Sequence, residues 1–143
     1  FVRCLLHTPV VRKEERLVRQ RCDEVLEFLS LTPKADLLAA GLPYGDQKRV
    51  EIARTLAMAP RLLLLDEPVA GLNLQETHEM SDTILKIRER GITVVLVAHD
   101  MNLVMGISDT ITVLNYGEKI AEGGPKEIQS NREVIEAYLG RDL

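Results

Sequence analysis

Two acidic residues and one histidine stand at the ends of apolar runs, where strands would hold them rigidly. Arg61 to Leu65 is followed at once by Asp66-Glu67-Pro68, and Ile92 to Ala98, rich in β-branched residues, is followed by His99-Asp100. A carboxylate fixed at a strand end suits Mg²⁺, a hard cation that takes oxygen ligands and keeps several waters. Glu67 then sits where it could polarise an attacking water, so the chemistry that fits is hydrolysis of a Mg²⁺–nucleotide. The same residues also fit a strand ending in a solvated acidic turn, and a lone His99 also fits a structural role. His7 and His78 lie on an irregular segment and a charged helix and are assigned nothing.

A third segment, Gly41-Leu42-Pro43-Tyr44-Gly45-Asp46, reads as a tight loop leading into a helix over 47–59. A helix entered from such a loop presents free N–H groups and the positive end of its dipole, which attract phosphate. For Asp46 the favoured reading is the N-cap of that helix, because a carboxylate aimed at a triphosphate would be repelled. Val50, Ala53, Leu56 and Ala57 form its apolar face, and Pro60 stops it.

The elements that must position these residues follow from the hydrophobic pattern. Residues 11–30 read as a helix with Leu17, Cys22, Val25, Leu26 and Leu29 on one stripe and a mixed-charge solvated face. A short helix follows, with Thr32 as N-cap, Pro33 first and Gly41 at its end. The runs 61–65 and 92–98 read as strands buried on both faces. Between them a long helix runs from Leu74 to Arg90, with Met80, Ile84, Leu85 and Ile87 inward, Asn73 and Glu76 as a capping box and Gly91 closing it. Strand, crossover helix and strand make a parallel pair. Ligands bind at the carboxyl ends of such strands, so Asp66, Glu67 and His99 are expected around one site. A short helix at 101–107, strands at 110–114 and 118–122 joined by Asn115-Tyr116-Gly117, and a helical tail from Gly123 capped again at Asn131 and ended by Gly140 complete the chain.

Composition narrows the function. The chain has 143 residues, 45% of them hydrophobic and 28% charged, which suffices for one packed domain or part of one. Aromatics are 3% and the net charge is −4, which disfavours single-strand stacking platforms and general polyanion binding. The run 92–98 is far below the roughly 20 residues that a membrane-spanning helix needs. Cys4 and Cys22, without a second pair, read as two reduced thiols of a cytoplasmic protein. The opening Phe1 reads as a processed or partial product.

Taken together, LPYGDQKRVEIARTL, LLLLDEP, AGLN and VVLVAHD, in that order over 42–99, resemble the signature, Walker B, D-loop and H-loop of ABC-transporter ATP-binding subunits. The LPYGD variant, AGLN, HDMNLVMGISD at 99–109 and VIEAYLG resemble the branched-chain amino acid import group. The resemblance covers nearly the whole chain. It implies a partial P-loop NTPase-type α/β fold: parallel strands with crossover helices plus a helical subdomain. It divides the chain into a signature subdomain (1–58), the C-terminal part of the nucleotide-binding core (59–122) and a helical tail (123–143).

It implies ATP and Mg²⁺ as cofactors, with Asp66 holding Mg²⁺ through water, Glu67 as general base and His99 on the γ-phosphate. Leu42, Pro43, Tyr44, Gly45 and Asp46 would touch the ATP of the opposite subunit, and Ala70, Gly71, Leu72 and Asn73 would communicate across the dimer. The implied partners are a second ATP-binding subunit and transmembrane permease subunits, with no nucleic acid, on the cytoplasmic face of the cell membrane. Pro43, Tyr44 and Asp46 depart from the family's usual Ser, Gly and Gln, and Asn73 from its Asp, so phosphate contact would rest on backbone N–H groups.

No G-x-x-x-x-G-K-[ST] occurs among the nine glycines. In family terms the chain starts inside the helical subdomain, so this stretch alone is expected to hydrolyse little ATP. Without the phosphate-loop strand, the strands at 61–65 and 92–98 are expected to keep an open edge and an exposed apolar face. The alternatives are a non-catalytic remnant or docking module, and the ATP-binding subunit of a lipopolysaccharide exporter or urea importer. A chromosome-maintenance ATPase would need long heptad arms, which are lacking.

Overall fold

The computed structural model describes residues 9–139 and divides into two compact units, the first running to Val95 and the second starting at Leu96. In the first unit, helix α1 spans Pro9–Phe28, α2 spans Tyr44–Leu56, strand β1 spans Leu62–Asp66 and α3 spans Leu74–Glu89. Strand β2, Thr93–Val97, crosses the division. It is the neighbour of β1 in a two-stranded parallel sheet, entered through a Thr93 N–H bond to the Arg61 carbonyl at 3.0 Å.

Helix α1 is amphipathic in pattern yet mostly solvated. Val25 and Leu29 are buried, whereas Leu17 is 56% exposed and Cys22 is an exposed free thiol. The expected stripe is therefore covered only at its C-terminal end, where α1 packs near α2. There the Arg90 guanidinium lies 3.5 Å from the centre of the Phe28 ring, a cation–π contact. Cys4 lies outside the described residues.

The expected helix at 33–40 is instead two 3₁₀ turns, Thr32–Lys34 and Ala39–Gly41. The Thr32 side chain caps neither of them: Leu31 takes the cap position of the first, without a side-chain bond. The first turn does not extend into an α-helix, and Leu37 and Leu38 stay exposed.

Helix α3 is built as its sequence predicts. The Asn73 Oδ1 accepts from the Glu76 N–H at 3.0 Å, and the Asn73 N–H donates to Glu76 Oε2 at 3.0 Å, a complete capping box. Met80, Ile84 and Ile87 are buried, and Leu85 only half so. Asn73→Ala removes one arm of the cap and is expected to cost about 1 kcal/mol. Chemical denaturation of a folded chain carrying the substitution reads that loss as a lower midpoint.

The strands are not buried on both faces. Leu63 and Leu65 are buried, but Leu62 and Leu64 are 50% and 68% exposed, and Val95 and Val97 are 48% and 59% exposed. Parallel strands are doubly buried only where layers lie on both sides; among the described residues one face of this sheet remains open to solvent. The exposed apolar face anticipated for strands lacking their neighbours is thus present.

In the second unit, α4 spans Met101–Ile107, β3 Ile111–Asn115, β4 Glu118–Gly123, α5 Pro125–Ser130 and α6 Arg132–Val134, which passes into a π turn over Ile135–Leu139. The Asp100 Oδ1 caps α4 through the Leu103 N–H at 3.0 Å, and Asn131 caps α6, as its residue type suggests. Strands β3 and β4 pair antiparallel, with Asn115 opposite Glu118 and left-handed Tyr116 and Gly117 at the turn. Ile111, Val113, Ile128 and Val134 form the core, flanked by Met101, Val104, Met105, Ile120 and Ala121. Gly140 lies outside the described residues.

Candidate functional site

Of the segment 42–46, Tyr44, Gly45 and Asp46 already belong to the first turn of the helix rather than to a loop before it. α2 begins at Tyr44, its cap position is Pro43 without a side-chain bond, and it ends at Leu56, short of the expected 59. Asp46 therefore does not cap the helix. It is the third helical residue, 6% exposed, and its carboxylate pairs with Lys34 and, at 3.3 Å, with Arg49. The capping reading of its side chain gives way to an ion pair. An acid in a first turn still favours the helix dipole. Ile52, absent from the expected apolar face, is buried together with Ala53 and Leu56.

Around this turn, Leu42 and Gly45 are buried, and Pro43 and Tyr44 are exposed. The Gln47 side-chain amide donates to the Leu42 carbonyl at 2.8 Å and ties the chain before the helix to its first turn. The Lys48 ammonium stands 5.7 Å from the centre of the Tyr44 ring. With no side-chain cap, the first N–H groups of the helix have no side-chain acceptor at the cap position.

The segment 70–73 lies against this turn. At Gly71, whose φ is +79°, a Cβ would come within 3.1 Å of the Tyr44 ring. At Gly45 a Cβ would come within 2.9 Å of Glu76 Oε1, in the capping box that begins α3. Only glycine allows either approach without displacing a neighbour. The structure thus brings Leu42–Asp46 and Ala70–Asn73 together, which the sequence did not announce.

Lys34, Arg49 and Glu79 were also missed. Arg49 pairs with both Asp46 and Glu79, which lies on α3. Bonds from the Gln75 amide first, and from Arg49 second, hold the Glu79 carboxyl below the usual carboxylate range. The Asp46–Arg49 spacing is a visible helical i,i+3 pair, but nothing in the sequence signals that Lys34 or Glu79 meets it.

Asp66 is the exposed last residue of β1, and half-buried Glu67 follows with φ +47°. A left-handed backbone at a non-glycine residue costs energy of the kind that collects at functional positions. A cavity of about 170 Å³ beside β1 is lined by residues including Lys48, Glu51, Ile52, Asp66 and Met80. His99 is exposed and lies two residues beyond β2, in the second unit. Among the described residues no group of three or more His, Cys, Asp or Glu is arranged to hold a metal. Asp66 alone still fits Mg²⁺, which takes one or two carboxylates beside waters and substrate phosphates. No helix of the described residues is long and apolar enough to cross a membrane.

Known proteins match the chain along almost its whole length. Residues 5–70 match the ABC transporter family model, and 118–143 match that of the branched-chain amino acid ATP-binding cassette transporter. The high-affinity branched-chain amino acid transport ATP-binding protein BraF of Pseudomonas aeruginosa is 47% identical over 98% of this chain and 55% of its own. LivG of Escherichia coli, of the same description, is 46% identical over 95% of this chain and 54% of its own. The ADP conformation of a solved ATP-binding cassette superposes with a TM-score of 0.80 at 31% identity, covering 97% of this chain and 56% of that one. The chain spans about half the length of these relatives. Motif order, fold and identity agree: the chain belongs to the ATP-binding cassette (ABC) transporter family.

Proposed function

We propose that this chain is part of an ATP-binding, ATP-hydrolysing subunit of an importer for branched-chain amino acids. The observation that carries the reading is the joint placement of Leu42–Asp46 at an uncapped helix start and Asp66-Glu67 at a strand end. The names of the 46–47% identical relatives support the substrate class. Residues 1–58 serve as the signature subdomain, 59–122 as part of the nucleotide-binding core and 123–143 as the tail.

Each residue has a role in this reading. The N–H groups that open α2, Gly45 foremost, bind phosphate of the ATP held by the opposite subunit. Leu42 and Pro43 set the entry of that turn, Tyr44 braces it over Gly71, and Asp46 holds it from beneath through its ion pairs. Ala70, Gly71, Leu72 and Asn73 carry the state of the turn to the dimer partner. Asp66 would hold Mg²⁺ through water, and the ion would supply charge neutralisation at the phosphates. Glu67 accepts the proton of the hydrolytic water and His99 orients the γ-phosphate. The subunit lies on the cytoplasmic face of the membrane against transmembrane permease subunits.

Because residues 1–143 contain no phosphate-cradling loop, their own ATP turnover is expected to be negligible, whereas a full-length subunit carrying them turns ATP over. A steady-state phosphate-release assay on both decides it. Robust turnover by the 143 residues alone, lost in Glu67→Gln, would overturn the division of labour. An inert full-length subunit would overturn the function.

A further inference from the structure

Lys34, Asp46, Arg49 and Glu79 form an alternating chain of charges that joins the first 3₁₀ turn, the start of α2 and the second turn of α3. Its centre is withdrawn from water: the Asp46 and Arg49 side chains are 7% and 18% exposed. A charge this sheltered is costly unless paired, so the pairs hold Asp46 where it is. The outer member, Glu79, keeps 43% exposure and is braced by the Gln75 amide at 3.0 Å. The chain of charges runs parallel to two close approaches already described, Gly45 on Glu76 and Tyr44 on Gly71. Three separate links therefore join the same two segments, Leu42–Asp46 and Ala70–Glu79.

We infer that the Asp46–Arg49–Glu79 bridge is a strap that makes the phosphate-facing turn of α2 and the 70–73 segment one rigid body. Arg49 and Glu79 are positioning residues. They set the angle at which the N–H groups of the turn are offered. The inference deepens the proposed function and rests on it for its kinetic consequence, but not for its mechanical one.

Two measurements on a full-length subunit in its transporter test it. In ATP titrations, Glu79→Gln is expected to raise KM about threefold, the scale of a partly exposed pair. Arg49→Gln, which cuts both links of Asp46 toward α3, is expected to raise KM about tenfold. kcat stays within about twofold in both, and the double variant is no worse than Arg49→Gln, because the two residues act through one bridge. In amide-exchange measurements, which need no turnover, Glu79→Gln is expected to speed exchange in 42–46 and 70–76 together. Faster exchange in one segment only, or in neither, overturns the strap. So does a KM unchanged in Glu79→Gln, or a double variant whose effects multiply. If the unmutated subunit hydrolyses no ATP, the proposed function falls, and the exchange data alone decide the strap.

Discussion

Glu67→Gln in a full-length subunit is expected to slow ATP hydrolysis about a thousandfold while ATP binding persists. The substitution keeps the size and planarity of the side chain and removes its ability to take a proton. General-base assistance contributes roughly 10²- to 10⁴-fold to a rate, and the loss should fall within that span. Glutamine and glutamate tolerate the left-handed backbone of residue 67 to a similar degree, so the strain there is unchanged. In the proposed function hydrolysis reopens the dimer, so the variant should also accumulate a closed, ATP-loaded dimer and stop transport. Phosphate release, retained nucleotide and size-exclusion behaviour in ATP measure the three parts. Turnover within threefold of the unmutated subunit would remove Glu67 from the chemistry.

His99→Ala is expected to slow hydrolysis about a hundredfold, the lower end of what one positioned acid–base or hydrogen-bonding group contributes. Its exposure separates function from structure: His99 is solvent-accessible, and exposed substitutions away from caps and cores usually change stability by no more than about 0.5 kcal/mol. The expected result is therefore a crippled rate with a nearly unmoved thermal midpoint. A grossly unfolded His99→Ala chain with a proportionate loss of activity would return the imidazole to a structural role. Asp100, its neighbour, has a different task, since it caps α4 through Leu103.

The long amphipathic helix α3 and its Asn73–Glu76 cap were legible because they are local: period, cap and closing Gly91 all lie within one stretch of chain. The two small strands and their Tyr116-Gly117 turn were legible for the same reason. Asp46 was misread because a helix start was placed three residues late. Pro43-Tyr44-Gly45 looks like turn chemistry, yet Pro43 sits at the cap position, and what keeps Asp46 buried is Lys34 and Arg49. The strand faces were misread because an apolar run reports what a side chain prefers. It does not report whether a second layer is present to cover Leu62 and Leu64. For the family, motif order carried the reading; for the strap, only packing could, since Arg49 and Glu79 stand 30 positions apart.

The second unit draws its core from side chains close together along the chain. Ile111 and Val113 meet Ile128 and Val134, and the Tyr138 hydroxyl donates to the Leu114 carbonyl. Loop-closure cost grows only slowly with length, so loops of this size close at a modest entropic cost. The core named here therefore assembles from residues of this unit alone.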